Sequence, residues 1–217
     1  INWFMNYVEQ LNNVKSRPYL FSYRRCPYAM RARMALVESN IEFDIYEISL
    51  RNKPYEMLSI SPKGTVPVLV VNELVLDESL DIMKWCYQNS KSNQFQILSL
   101  QDKKISDELI NLNDGKFKVS LDHYKYFDRY PDKSKIEYRE SCYFFLEILE
   151  ERLSSTNFLI SDERTFVDIS IFPFIRQFMN VDKNWFDNSK YKKIKKWLIF
   201  LIESDLFKQV MVKPIKG

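Results

Sequence analysis

Hydrophobic and polar positions along the first half of the chain follow two periods. Pro18-Tyr19-Leu20-Phe21-Ser22 is a short apolar and aromatic run that predicts a strand. After the turn Tyr23-Arg24-Arg25, residues 27–39 set Met30, Met34, Ala35 and Val37 at inward positions, which predicts a helix. Pro27 suits the first helical position, where its missing N–H costs nothing, and Asn40 suits a left-handed C-terminal cap. Glu42 to Ser49 carries Phe43, Ile45 and Ile48 and predicts a second strand. Pro67 to Val71 predicts a third, which Asn72-Glu73 can turn into Leu74-Val75-Leu76 as a hairpin. Ser79 to Gln88 reads as a helix with Leu80, Met83 and Tyr87 on one face. The predicted order is β-α-β, a loop with some helix, then β-β-α. A strand, crossover helix and second strand favour a parallel pair.

The pattern changes after this point. Residues 89–99 are polar and are expected to link two domains, and no strand is evident beyond them. Ile136 to Leu153 keeps Cys142, Phe145, Leu146, Leu149 and Leu153 at helical spacing and reads as one helix. Thr165-Phe166-Val167-Asp168 has the form of a capping box with Asp in place of Glu, opening a helix to about Met179. Pro173 inside that helix predicts a kink. A last helix is expected over Tyr191–Glu203. The organisation read from these patterns is a lead-in over 1–17, an α/β domain over 18–90 and an all-helical domain over 100–217.

Composition narrows the function classes. The chain has 217 residues, 46% hydrophobic and 28% charged, which suits one large or two modest soluble domains. Only 3 glycines occur, which argues against a glycine-rich phosphate loop. A net charge of +3 is too slight to imply a nucleic-acid partner. The basic run Lys190, Lys192, Lys193, Lys195 and Lys196 lies opposite Ile194, Trp197, Leu198 and Leu201 and reads as a solvated helix face. No apolar run approaches the ~18 residues of a membrane span, so no membrane is expected. Three cysteines make an odd count that does not look like a disulfide framework, and the expected location is cytoplasmic. The single histidine, His123, gives poor support to a histidine-rich metal site, and no metal is expected.

Cys26 is the residue with the clearest chemistry. It stands between a predicted strand and the first turn of a predicted helix, where unpaired N–H groups and partial positive charge face its sulfur. Such a setting can lower a thiol pKa from ~8.5 into the range of ~3.5–7.5. A helix terminus contributes at most ~2 kcal/mol, or about one and a half pKa units, and Arg25 can add to it. A substantially ionised thiol near neutral pH is expected. The alternative is a buried, inert cysteine, which is the expected state of Cys86 and Cys142 on apolar helix faces.

A family resemblance rests on several motifs in order. Cys26-Pro27-Tyr28-Ala29 resembles the active-site turn of glutaredoxins and cysteine-type glutathione transferases. Val66-Pro67 is similar to the cis-proline step of the thioredoxin-like fold, and Asn52-Lys53-Pro54 to a segment of omega-class enzymes. Glu78-Ser79 resembles the acid-serine pair of glutathione transferases, and Thr165-x-x-Asp168 their C-terminal capping box. The resemblance implies a thioredoxin-like β-α-β-α-β-β-α domain followed by an all-α domain. It implies glutathione as cosubstrate, with Cys26 catalytic and Tyr28, Lys53, Val66, Pro67, Glu78 and Ser79 binding the tripeptide. It also implies a homodimer. Ala29 stands where a dithiol glutaredoxin has its second cysteine, so a one-cysteine route through a glutathione mixed disulfide is expected. An electrophile pocket is expected between the domains at Phe117, Tyr124 and Tyr126, with plain core and surface alternation of that helix as the alternative. Two rival readings stay open. One is a non-catalytic binding protein similar to stringent starvation protein A. The other is a conventional conjugating enzyme, to which Tyr23 would supply the activating hydroxyl.

Overall fold

Four short strands form one mixed sheet in the order β2-β1-β3-β4. In the computed structural model, which describes residues 17–90 and 99–213, these are β1 Tyr19–Ser22, β2 Asp44–Glu47, β3 Val68–Val71 and β4 Leu74–Leu76. Strand β2 runs parallel to β1, in the register Tyr19 to Asp44 and Phe21 to Tyr46. Strand β3 is antiparallel to both β1 and β4. The central strands are apolar on both faces because both are covered: Leu20, Phe21, Val68, Leu69 and Val70 are all buried. Edge strand β2 alternates between exposed and half-buried residues. Asn72 turns the β3–β4 hairpin with a left-handed φ of 51°, a conformation that asparagine tolerates better than most residues.

Helix α1, Pro27–Glu38, connects β1 to β2, and α2, Tyr55–Ile60, supplies the helix expected in the following loop. Helix α3, Ser79–Gln88, follows the hairpin and packs against α1. The left-handed residue expected after α1 is present at Asn40, with φ 53°, one residue beyond the cap Ser39. One face of the sheet carries an apolar cluster of Phe21, Ala29, Ile48, Met57, Val66, Val68 and Val70, and Cys26 packs against it. Each of these side chains larger than alanine contributes ~1.5–3 kcal/mol when fully buried.

Among the described residues the further α-helices are α4 Leu100–Leu112, α5 Lys118–Lys125, α6 Lys135–Glu140, α7 Tyr143–Ser155, α8 Phe166–Met179, α9 Lys183–Asn188, α10 Lys192–Glu203 and α11 Asp205–Met211. A π-helical turn, Asn113–Phe117, joins α4 to α5. The single helix expected over Ile136–Leu153 is instead two. The first ends at Glu140, and a turn at Ser141-Cys142 intervenes before Tyr143. Apolar spacing continues through the turn, so periodicity alone did not mark it. Helix α8 stays continuous through Pro173 and is buried on nearly every face, as a helix at the centre of a bundle must be.

The chain divides into two compact units. Ile1–Gln94 joins with Asp205–Gly217, and Phe95–Ser204 forms the second unit. Helix α11, which sequence patterning missed, therefore belongs with the α/β unit, not with the helical one. Its last turn is tied there by Arg24, whose Nη1 donates to the Met211 carbonyl at 3.3 Å. Of the lead-in expected over 1–17 only Arg17 is described, and most of the link over 89–99 also lies outside the described residues.

The helical unit is organised around Asp168. Its Oδ1 accepts from the Leu159 N–H at 3.0 Å and from Trp197 Nε1 at 2.9 Å, and its Oδ2 accepts from the Thr165 N–H and hydroxyl, both at 2.9 Å. The capping box of α8 is thus present, and the same carboxylate also fastens the preceding loop and helix α10. Burial pushes this carboxyl above its ordinary range, against four donors that favour the anion. Helix α10 is capped at a distance by Glu150 of α7, which accepts from the Lys193 and Ile194 N–H groups at 2.9 Å each. In the basic run at its start, Lys190 pairs with Glu147 and Lys195 with Asp187. Among the described residues no helix is long and apolar enough to cross a membrane.

Candidate active site

The strand-to-helix corner at Cys26 is built by local chemistry. Cys26 is the N-cap residue of α1, with extended backbone at φ −74° and ψ 124°, and Pro27 opens the helix. Its N–H donates to the Tyr23 carbonyl at 2.9 Å, which closes a tight turn over Tyr23–Cys26. Its carbonyl accepts from the Met30 N–H at 2.9 Å, the first bond of the helix. No acidic residue lies in the first turn of α1, so the positive end of the helix is not neutralised by its own sequence.

The Cys26 thiol is half-buried and donates to the Val66 carbonyl across 3.7 Å. The Val66–Pro67 peptide bond is cis. This contact favours the neutral thiol, whereas the helix terminus favours the thiolate. Cys86 and Cys142 differ sharply: both are fully buried, and burial pushes each thiol up to about 12. Ala29, where a second active-site cysteine would stand, is a fully buried packing residue.

Lys53 lies against the loop that leads to the cis step. Its Nζ is 3.5 Å from where a β-carbon on Gly64 would be, and Gly64 itself has a left-handed φ of 61°. Glu78 is the N-cap of α3 and is exposed, whereas Ser79 begins the helix and is buried. Arg31 Nε donates to the Ser79 hydroxyl at 3.0 Å, and the Arg31 guanidinium also lies 5.1 Å from the Tyr28 ring centre. Lys63 was not picked out from the sequence. Its ammonium donates to Glu78 Oε1 at 2.5 Å and reaches Asp77 Oδ1 at 3.3 Å, while the Ser61 hydroxyl donates to Asp77 Oδ2 at 2.8 Å. Burial works against the Lys63 charge, but the hydrogen bonds with Glu78 and Asp77 outweigh it and hold its pKa above the ordinary lysine value.

The aromatic segment behaves differently from the pocket expected of it. Phe117 and Tyr124 are buried in the core of the helical unit, where Phe117 meets Phe145 at 4.8 Å and Tyr124 meets Phe178 at 5.4 Å between ring centres. Both are packing residues, because the helix turns its aromatic stripe inward. Tyr126 alone keeps partial exposure, between Lys125 and Arg129. The Tyr23 hydroxyl is engaged by Arg25, whose Nε and Nη2 donate to it at 2.9 and 2.6 Å. Among the described residues no cluster of His, Cys, Asp or Glu could hold a metal ion.

Two further residues belong to this corner. Arg33 of α1 is buried to within 2% of its surface, and its Nη2 donates to the Arg24 carbonyl at 2.7 Å. Glu47 of β2 accepts from the Arg24 N–H at 2.6 Å. The sequence signal for Arg33 is a basic residue set within the apolar run Ala29-Met30-Arg31-Ala32-Arg33-Met34-Ala35-Leu36.

Comparison with known proteins bears on this arrangement. Residues 20–94 match the family description "Glutathione S-transferase, N-terminal domain", and residues 143–199 match "Glutathione S-transferase, C-terminal domain". Glutathione S-transferase U28 of Arabidopsis thaliana is 27% identical over 177 residues, covering 77% of this chain and 75% of that protein. Human glutathione S-transferase omega-2 is 37% identical over a shorter stretch of 57 residues, 26% of this chain and 24% of that protein. A crystal structure of a glutathione transferase family member from Pseudomonas fluorescens, with two glutathione molecules bound, superposes with a TM-score of 0.80. It does so at 17% identity, over 96% of this chain and 99% of its own, and so shares the fold. The two halves of one domain pair follow each other along this chain in the expected order and on the expected fold, and the chain belongs to the glutathione S-transferase family.

Proposed function

We propose that this chain is a glutathione-dependent thiol transferase that works through Cys26. The observation that carries the reading is a half-buried cysteine at the start of α1, with its sulfur 3.7 Å from the carbonyl of a cis Val66–Pro67 step. The Cys26 thiolate attacks the glutathione sulfur of a mixed disulfide. A Cys26–glutathione disulfide forms, and the substrate leaves as its thiol after taking up a proton. A second glutathione thiolate then attacks the glutathione sulfur of that intermediate, releasing glutathione disulfide and restoring Cys26. Ala29 offers no resolving thiol, which supports the route through external glutathione.

We assign the tripeptide to the surface beside the cis step. The Val66 main chain pairs with its cysteinyl backbone as an added strand would. Glu78 receives the γ-glutamyl ammonium, which displaces Lys63 from the same carboxylate. The start of α3 at Ser79 receives the γ-glutamyl carboxylate. Lys53 receives the glycyl carboxylate, and Tyr28 contacts the tripeptide from the start of α1. Arg25 donates to the Tyr23 oxygen, and the hydroxyl still has its own proton to donate, so the conjugating alternative through Tyr23 is decided by the activity comparison that follows.

The test is reduction of hydroxyethyl disulfide by glutathione, followed alongside conjugation of chlorodinitrobenzene. Disulfide reduction is expected to be the stronger activity and to fall at least 100-fold in Cys26→Ser, because covalent catalysis has no substitute nucleophile. Full disulfide activity in Cys26→Ser would refute the mechanism.

A further inference from the structure

Arg33 is an unusual residue to find in the core of the α/β unit. Charged side chains are almost never fully buried unless they are paired. Its guanidinium does not sit in a close ion pair. The nearest carboxylate oxygen, Glu47 Oε2, is 3.8 Å from Nη1, and the other oxygen of Glu47 is committed to the Arg24 N–H. The Arg33 Nε is buried with no hydrogen-bond partner. The donors that are satisfied both point at the active-site corner. Nη1 donates to the Ser22 hydroxyl at 3.0 Å, at the end of β1, and Nη2 donates to the Arg24 carbonyl at 2.7 Å, inside the turn that leads to Cys26.

Position explains the reach. Arg33 lies seven residues after Cys26, about two helical turns, and so on the same face of α1. Side chains on a helix lean toward its N-terminus, which aims this guanidinium back under the thiol. Burial lowers its pKa to about 10, so it stays charged at neutral pH. Glu47 and Cys26 favour that charge, and Arg24 opposes it. The coupling is mutual: an anion at Cys26 that favours the Arg33 charge is itself favoured by it.

We infer that Arg33 is a positioning residue for the reactive thiol, clamping the Tyr23–Cys26 turn through its fork and supporting the Cys26 thiolate with a buried, incompletely neutralised positive charge. This rests on the reading of Cys26 as the reactive thiol. Among the described residues, the charged and titratable groups that face this corner include Arg33 from α1, Tyr19 from β1, Tyr23, Arg24 and Arg25 from the turn, and Glu47 from β2, while the buried residues of the cluster on which Cys26 packs are apolar. Arg24 is drawn toward the Met211 carbonyl and Arg25 toward Tyr23, which leaves Arg33 as the cation fixed beneath the turn.

The experiment is the pH dependence of Cys26 alkylation by iodoacetamide, resolved by peptide mass in the full chain, with a parallel melting curve. Arg33→Met is expected to move the alkylation midpoint up by about one pH unit or more. That slows the reaction about tenfold at a pH below both midpoints. Arg33→Lys keeps the charge but not the planar fork, and should restore most of the midpoint while the melting temperature stays low. Glu47→Gln keeps an acceptor for the Arg24 N–H and removes the anion, and should move the midpoint down. A role that is only structural would move the melting curves and leave the midpoints in place. Unmoved midpoints in Arg33→Met and Glu47→Gln, or shifts of the same sign in both, would overturn the inference. If Arg33→Met does not fold, Glu47→Gln and Arg33→Lys decide it: no fall in the first, or a rise of a full unit in the second, overturns it. The parent reading fails separately, by wild-type Cys26 forming no disulfide with glutathione, and the relative shifts remain measurable in that event.

Discussion

Replacing Asp168 with alanine removes one carboxylate and strands donors from three parts of the helical unit. The Leu159 N–H, the Thr165 N–H and Trp197 Nε1 lose their acceptor together, and the Thr165 hydroxyl loses one as well. The hydroxyl can rotate to another acceptor, but the three N–H groups are held by backbone or ring geometry. A buried donor left unsatisfied costs ~1–3 kcal/mol. Three such donors give a floor of ~3 kcal/mol, and water entering the space left by the carboxylate keeps the expected loss near ~3–5 kcal/mol. That is a large part of the ~5–15 kcal/mol by which folded proteins exceed their unfolded states. Thr165→Ala removes only the cap and is expected to cost ~1 kcal/mol. Urea unfolding followed by circular dichroism measures both, through the midpoint and the slope. A loss below ~1 kcal/mol in Asp168→Ala would show that the carboxylate is not the junction described, because no rearrangement satisfies three fixed N–H groups so cheaply.

Two other perturbations test separate parts of the structure. Gly64→Ala puts a β-carbon at a left-handed φ of 61° and 3.1 Å from Leu58 Cδ2, just ahead of the cis step, and is expected to cost ~1–2 kcal/mol. A loss below ~0.5 kcal/mol by urea unfolding would contradict that geometry. Cys86 and Cys142 hold their protons up to about 12 in the folded chain, whereas an unfolded thiol ionises near ~8.5. The unfolded state therefore releases protons first, so both thiols add stability below ~8.5 and lose it as pH rises toward 12. In the native protein at pH 8 iodoacetamide should label Cys26 alone, with Cys86 and Cys142 labelled only after unfolding. Equal labelling of all three cysteines in the native state would refute the burial argument.

Much of this protein is legible in one dimension, and the reason is locality. Strand, turn and helix signals around Cys26 involve neighbours a few residues apart. Pro27 favours a helix start, Asn40 tolerates left-handed backbone, Asn72-Glu73 turns a hairpin, and Thr165 with Asp168 forms a box across three residues. Each of these local expectations matches the structure. The break at Ser141-Cys142 did not show, because apolar spacing continues across the turn and a helix pattern cannot register a missing hydrogen bond. Helix α11 escaped for a related reason: seven residues carry too few turns to declare a period.

What only the tertiary structure decided is which residues meet across long separations. Phe117 and Tyr124 were open to a cleft or to a core from sequence, and in the structure they pack on Phe145 and Phe178. Asp168 read as a local cap, but Trp197, 29 residues away, also donates to it. Arg33, Glu47 and Lys63 carried no sequence signal strong enough to name them, since a lone charge is ordinarily a solvated one. Their roles come from contact with Arg24 and Glu78, at distances along the chain that no local period spans. Patterning determines where backbone bends and which faces turn inward, because those are short-range energies. The contacts that join Arg33, Ser22, Arg24 and Glu47 are a property of the folded chain alone.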